Sequence, residues 1–313
     1  MTERVPAGRP APGPVPAAVA RPPLGDVARM SLAVLAVSTS GPLIAATVAP
    51  ALAIAFWRNA LSATVLVPFA WTRARAELAG MTGREWRLAL AAGGLLGAHF
   101  ATWVPSVTLT SVASSTALVT VQPVWAALLA RRRGHAIPQR AWIGIVVAVA
   151  GAALITGADV TVSARALAGD GLALLGGLFA AAYITVGGEV RRSVSTTAYT
   201  TVCYATAAMS LLVVCLASGQ ALTGYPAASW WKILGLTVGA QFLGHSMFNV
   251  VLRTTSPTVV ALAILFEAPG AALIAGLWLH QHPRALALGG LAILLLGVAG
   301  VIRSGTAVAL PAE

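Results

Sequence analysis

Charge is what this chain has least of. Only 9% of its 313 residues are Asp, Glu, Lys or Arg, against about 25% in a soluble globular domain. A water-soluble fold is thereby excluded. Cysteine is nearly absent too. Cys203 and Cys215 fall in one apolar run, and as a helix that run would hold them roughly 18 Å apart. That is too far for a disulfide, so both read as core fillers. No His-Glu-x-x-His and no phosphate-cradling loop occurs. A zinc hydrolase and an ATP-driven engine are therefore not expected. Gly244-His245-Ser246 sets a His beside a Ser, but neighbours on a helix point roughly 100° apart. Neither an enzyme nor a cofactor site follows from these residues. No apolar run precedes Met30, so a cleavable signal peptide is not expected.

Apolar residues are abundant, at 58%. They fall into ten runs, 29–49, 52–71, 87–107, 112–130, 139–157, 167–187, 198–218, 231–251, 258–279 and 285–303. Each has the length and apolarity of a membrane-crossing helix. The expected fold is an all-α integral membrane protein with ten transmembrane helices. Residues 1–28 are rich in Pro, Ala and Arg and read as a disordered cytoplasmic tail, with 304–313 as a second tail; Met30 is an alternative start. The net charge of +11 invites a nucleic-acid reading. That reading fails, because the basic residues sit in short links between apolar runs, where they set topology. With the N-terminus inside, sixteen basic residues lie in inner segments and three (Arg165, Lys232 and Arg284) in outer ones, while Arg58 lies within the second run. Both termini are expected to be cytoplasmic, in a multi-pass protein of the inner (plasma) membrane.

The runs repeat. Gly93-Gly94-Leu95-Leu96-Gly97-Ala98-His99-Phe100 in the third resembles Gly235-Leu236-Thr237-Val238-Gly239-Ala240-Gln241-Phe242 in the eighth, at an offset of 142. Ser114 and Ser256 keep that offset. At 146, Pro123 meets Pro269, Gly144 meets Gly290 and Gly151 meets Gly297. The chain thus divides into two five-helix halves, 29–157 and 158–303. Five is odd, so the halves enter the membrane from opposite sides. In such an inverted repeat, a substrate site is expected at mid-membrane where the halves meet.

An ordered set of motifs carries a family resemblance over about residues 30–303. The set comprises Phe56-Trp57-Arg58-Asn59, Gly97-Ala98-His99-Phe100, Ser111-Val112-Ala113-Ser114-Ser115, Gln122-Pro123, Gly169-Asp170-Gly171-Leu172-Ala173-Leu174, Ser256-Pro257 and Phe266-Glu267-Ala268-Pro269, with Gly-rich fifth and tenth runs. The sequence resembles EamA-type members of the drug/metabolite transporter superfamily. The resemblance implies ten helices in two repeats and transport of small solutes, commonly export of amino acids, related metabolites or drugs. Members usually carry a glutamate after the fourth and ninth spans. Here those places read Arg133-Gly134-His135 and Leu279-His280-Gln281, so no coupling or gating role is carried over from that glutamate.

Polar residues inside apolar runs mark the candidate path. They are Arg58, His99, Gln122, His245, Asn249 and Glu267. His99, Trp103 and Ser106 share one face of the third run, and Gln241, His245 and Asn249 share one face of the eighth. Arg58 either anchors an anionic group or snorkels to headgroups. Glu267 either serves the substrate amine or a coupled proton, or forms a structural pair with Arg58. The two His can line the path or bond between helices, and Asn249 and Gln241 can simply join helices. Gln122 can line the path or serve carbonyls freed by Pro123. Trp57, Trp103 and Trp125 offer stacking surface or belong to interface belts. Pro42, Pro123, Pro269 and Gly270 are hinge candidates, and Pro105 is a further candidate kink. Gly93/Gly97 and Gly235/Gly239 have the spacing for close helix approach. The expected protein is a secondary transporter, with a passive channel or a membrane sensor or scaffold as the alternatives. Its partners would be the bilayer and a small-molecule substrate, with proton coupling. It would bind no nucleic acid and work as a monomer or homodimer.

Overall fold

The computed structural model describes residues 23–134, 136–160, 163–251, 255 and 257–304. The side chains of residues 159, 160, 245, 246, 249, 257 and 258 lie outside that description. So do His135, Arg253, Ser256 and most of both predicted tails.

Among the described residues every regular element is a helix. The first half holds α1 (Leu24–Ser38), α2 (Ser40–Ala46), α3 (Ala51–Arg73), α4 (Arg75–Gly80), α5 (Gly83–Leu109), α6 (Val112–Val119), α7 (Gln122–Arg132) and α8 (Gln139–Val160). The second holds α9 (Ala164–Val190), α10 (Thr196–Ala217), α11 (Ala227–Gly235), a π-helical stretch Leu236–Gly244, α12 (His245–Val251), α13 (Pro257–Ile264), α14 (Glu267–Leu279) and α15 (Ala285–Arg303). Hydroxyl caps set the starts. Thr82 and Glu85 form a capping box on α5. Ser111, Ser163 and Ser195 accept the backbone N–H three residues on at α6, α9 and α10. The first helix begins at Leu24, earlier than expected. Pro23 precedes it, and Asp26 in its first turn is tied down by Arg29 and Thr255.

Nine helices among the described residues are long and apolar enough to cross a membrane. They correspond to nine of the ten apolar runs. The remaining run, the eighth (231–251), is not a single regular α-helix: its middle is π-helical over Leu236–Gly244. There the Thr237 hydroxyl donates to the Ile233 carbonyl at 2.9 Å, competing with the regular ladder.

Three of the spans are broken, each four residues before a proline. Pro42, Pro123 and Pro269 would clash with the carbonyls of Ser38, Val119 and Leu265. Those residues end α1, end α6 and follow α13. Pro105 does not break its span. α5 runs unbroken from Gly83 to Leu109, gripped on both sides. Gly93 sits against Cys203 and Thr206 of α10, and Gly176 of α9 sits against Thr102 and Trp103. Cys203 and Cys215 are both buried, and neither is in a disulfide.

The tightest helix crossing joins α8 to α15. A methyl at Gly144 would come within 2.7 Å of the Gly297 carbonyl, and one at Gly151 within 2.7 Å of the Gly290 carbonyl. Residue 144 faces 297 while 151 faces 290, so these repeat mates run antiparallel. The two halves are therefore inverted. Of the other glycine pairs, only Gly93/Gly97 makes a close helix contact. A methyl at Gly235 would find its nearest neighbour at 4.0 Å, and one at Gly239 would find none within 4 Å.

Side-chain bonds stitch the links at each end. On the face that carries Leu24, Glu77 accepts from Ser195, Glu85 from Ser193, and Arg84 pairs with Glu189. On the far face, Trp57 donates to the Leu222 carbonyl at 2.8 Å, Ser229 to Val48 at 3.1 Å and Lys232 to Ala46 at 2.6 Å.

Gly151→Leu is expected to cost at least about 1–3 kcal/mol by overpacking and to lower the melting temperature of purified protein. Gly94→Ala, whose methyl meets nothing within 4 Å, is expected to be neutral or to stabilise by up to about 1 kcal/mol in the same melt.

Candidate functional site

A cavity of about 190 Å³ lies where the halves meet. Arg58, His99, Trp103, Gln122, Pro123 and Glu267 all line it. The sequence scatters these residues over 210 positions; α3, α5, α7 and α14 bring them together. The lining also reaches Ile302, one residue from the end of α15. The cavity thus extends toward the face that carries Leu24.

Arg58 is only 2% exposed. Its Nε donates to Gln241 Oε1 at 3.2 Å, and its Cζ lies 4.3 Å from the centre of the Phe100 ring. It therefore points inward, held by an amide and an aromatic face, and does not snorkel to the surface.

Glu267 is half-buried and is the first residue of α14. Among the described residues no side chain bonds to its carboxylate. Arg58 lines the same cavity, but the two form no direct ion pair within 4 Å. The helix itself offers an offset, since its N-terminal N–H groups favour a negative charge there. The break that places Glu267 is locked against the break in the first span. Ser38 Oγ donates to the Glu267 carbonyl at 3.4 Å. A methyl at Gly270 would sit 2.9 Å from Ser38 Cβ, so only glycine fits this crossing.

His99 Nδ1 lies 3.0 Å from the Gly176 carbonyl. A carbonyl only accepts, so Nδ1 is the donor in this bond. The ring stacks on Trp103, with centroids 5.7 Å apart and planes at 14°. Trp103 is 5% exposed, and among the described residues its Nε1 has no hydrogen-bond partner. Ser106, on the same face, does not line the cavity; it bonds Ser115 at 2.6 Å and so fastens α5 to α6.

Other candidates are placed elsewhere. Trp57 packs edge-on to Trp230 and helps close the far face. Pro42 lies in the first turn of α2, just past the break. His245 and Asn249 have side chains outside the described residues. Gln281, standing where the resembled family has glutamate, accepts from Val112 N at 3.1 Å and so caps α6. His280 beside it ends α14 in the left-handed conformation, with φ of 55°.

Sequence reasoning missed Tyr183 and Phe100 as lining residues. No signal in the sequence marked Tyr183, which reaches the cavity only because α9 packs against α5. Gln241, read as helix-joining glue, proves to be the partner of Arg58.

Two inverted helical halves thus enclose a largely apolar cavity whose wall carries Arg58, His99, Gln122 and Glu267. The sequence pattern of the EamA-like transporter family matches residues 27–157 and again 167–303. The chain belongs to that family and is a multi-pass membrane transporter of the drug/metabolite transporter superfamily. No curated protein matches it. One solved crystal structure is similar in fold, with a TM-score of 0.60 at 17% identity, covering 89% of this chain and 96% of that one.

The cavity predicts a labelling pattern. With Cys203 and Cys215 replaced by Ala, Ala126→Cys and Ile184→Cys line the cavity and are expected to react with a small thiol reagent in native membranes. Ala89→Cys, fully buried away from it, is expected not to.

Proposed function

We propose that the chain is a ten-span secondary transporter that exports a small amphipathic metabolite, such as an amino acid, or a drug. It works by alternating access, with the Leu24 face cytoplasmic in the inner (plasma) membrane. The observation that carries this reading is the shared cavity, with a cation, Arg58, and an acid, Glu267, on its walls and no bond between them.

Arg58 takes the substrate's anionic group through charge-assisted hydrogen bonds. Glu267 receives the substrate amine, or carries a proton whose exchange is coupled to transport. His99 and Trp103 offer a stacked apolar wall to the rest of the molecule. The extension of the cavity toward Ile302 and the stitched far face fit a state loaded from the cytoplasm. The hinge roles fall to the three proline breaks, where a half-helix can tilt without disturbing the rest of its span.

Untargeted metabolite analysis of the medium tests the reading, using cells that express wild type or Glu267→Gln at matched membrane levels. A metabolite enriched outside only with wild type is the expected result. Equal export by Glu267→Gln, with the same dependence on the pH gradient, would rule out the proton role. Arg58→Ala is expected to raise the half-saturation concentration about 10- to 100-fold, the worth of one charged hydrogen bond. Saturable flux that follows a gradient separates a carrier from a channel, and any flux at all excludes a scaffold.

A further inference from the structure

Gln241 is buried at 4% exposure and lies outside the cavity lining, behind Arg58. A guanidinium has donors only, so the amide must turn its oxygen to Arg58 Nε. That choice leaves Nε2 inside the protein, where it has no hydrogen-bond partner among the described residues. A buried unsatisfied amide is costly. For packing alone, an apolar side chain of the same length would serve without that cost.

The helix that carries Gln241 is also unusual. It is π-helical over Leu236–Gly244, a form that is rare and concentrates at functional sites. The stretch is seated against α1: Gly244 lies directly on Val37, itself a cavity residue. The corresponding position in the first half is His99, on a regular α-helix, and it lines the cavity directly. The two halves thus use one position in two ways, one facing the cavity and the other gripping its cation.

We infer that Gln241 is a positioning residue: it orients the Arg58 guanidinium and thereby sets the preference for substrates with a free carboxylate. The inference rests on the proposal that Arg58 takes the anionic group. Gln241 holds the fork by its Nε while Phe100 supports its face. Without Gln241 the charge stays, but its direction is lost, and with it the advantage of an acid over its neutral amide.

The test uses full-length protein in lipid nanodiscs, with the proteinogenic amino acids and their carboxamides as probes and calorimetry as the readout. Wild type is expected to bind at least one acid better than its amide. Gln241→Met is expected to bind that acid about tenfold more weakly and the amide unchanged, the equivalent of one ordinary hydrogen bond. Gln241→Glu keeps a partner for Arg58 but neutralises it, and is expected to lose the acid preference as well. If Gln241→Met does not yield folded protein, Gln241→Glu carries the test. An acid preference retained in the folded variant, beside an Arg58→Ala that loses it, overturns the inference and leaves the role of Arg58 intact. Acid binding equal in wild type and Arg58→Ala, or absent from wild type, overturns the role of Arg58 and the inference with it.

Discussion

A hydrocarbon slab offers no hydrogen bonds, so any backbone group released from a helix must be satisfied within the protein. This constraint governs the breaks that build the site. At Thr39, Thr120 and Phe266 the backbone tightens to bond the carbonyl three residues back. The hydroxyls of Thr39 and Thr120 donate to Ala36 and Ala117 as well. Ser38 reaches across to the Glu267 carbonyl. The first and ninth spans are therefore broken where they cross, and Ser38 ties the one break to the other. Glu267 owes its place to this crossing, since a continuous helix would not give its carboxylate a helix N-terminus.

The cavity's electrostatics follow the same logic. A cation at membrane depth needs company, and Arg58 has it from an amide oxygen and an aromatic face. Those contacts hold the guanidinium in place at the cavity wall. Glu267 shares the cavity with it but is not bonded to it. An opposite pair kept apart in one small cavity suits the proposed reading, in which a substrate carrying both charges, or a proton, comes between them. A direct buried ion pair would instead hold helices together and offer little to a passing solute.

The two halves are related but not equivalent. In the first, Gly93 and Gly97 press α5 onto α10, and the helix stays regular even through Pro105. In the second, Gly235 and Gly239 make no close helix contact and the helix widens to a π form. The glycine spacing is shared, so the difference lies in what each helix packs against. The mates His99 and Gln241 diverge accordingly in what they touch.

Much of this was written in the chain itself. Apolar run length is dictated by bilayer thickness, so nearly every span was legible within a few residues. The repeat was legible because matching Gly and Pro positions recur at offsets of 142 and 146. The proline breaks were legible because a missing N–H acts locally. Polar residues within apolar runs pointed to Arg58, Glu267, His99, Gln122 and Trp103, all of which reach one cavity. Only the tertiary structure decided that Arg58 turns inward onto Gln241 and does not snorkel, because its direction depends on residues 42 and 183 positions away. Packing alone also decided that Trp57 serves the far face, that Pro105 leaves its helix whole and that Tyr183 joins the site. Sequence periodicity tells which residues share a helix face, whereas the neighbour that meets that face is set by how all the helices pack together.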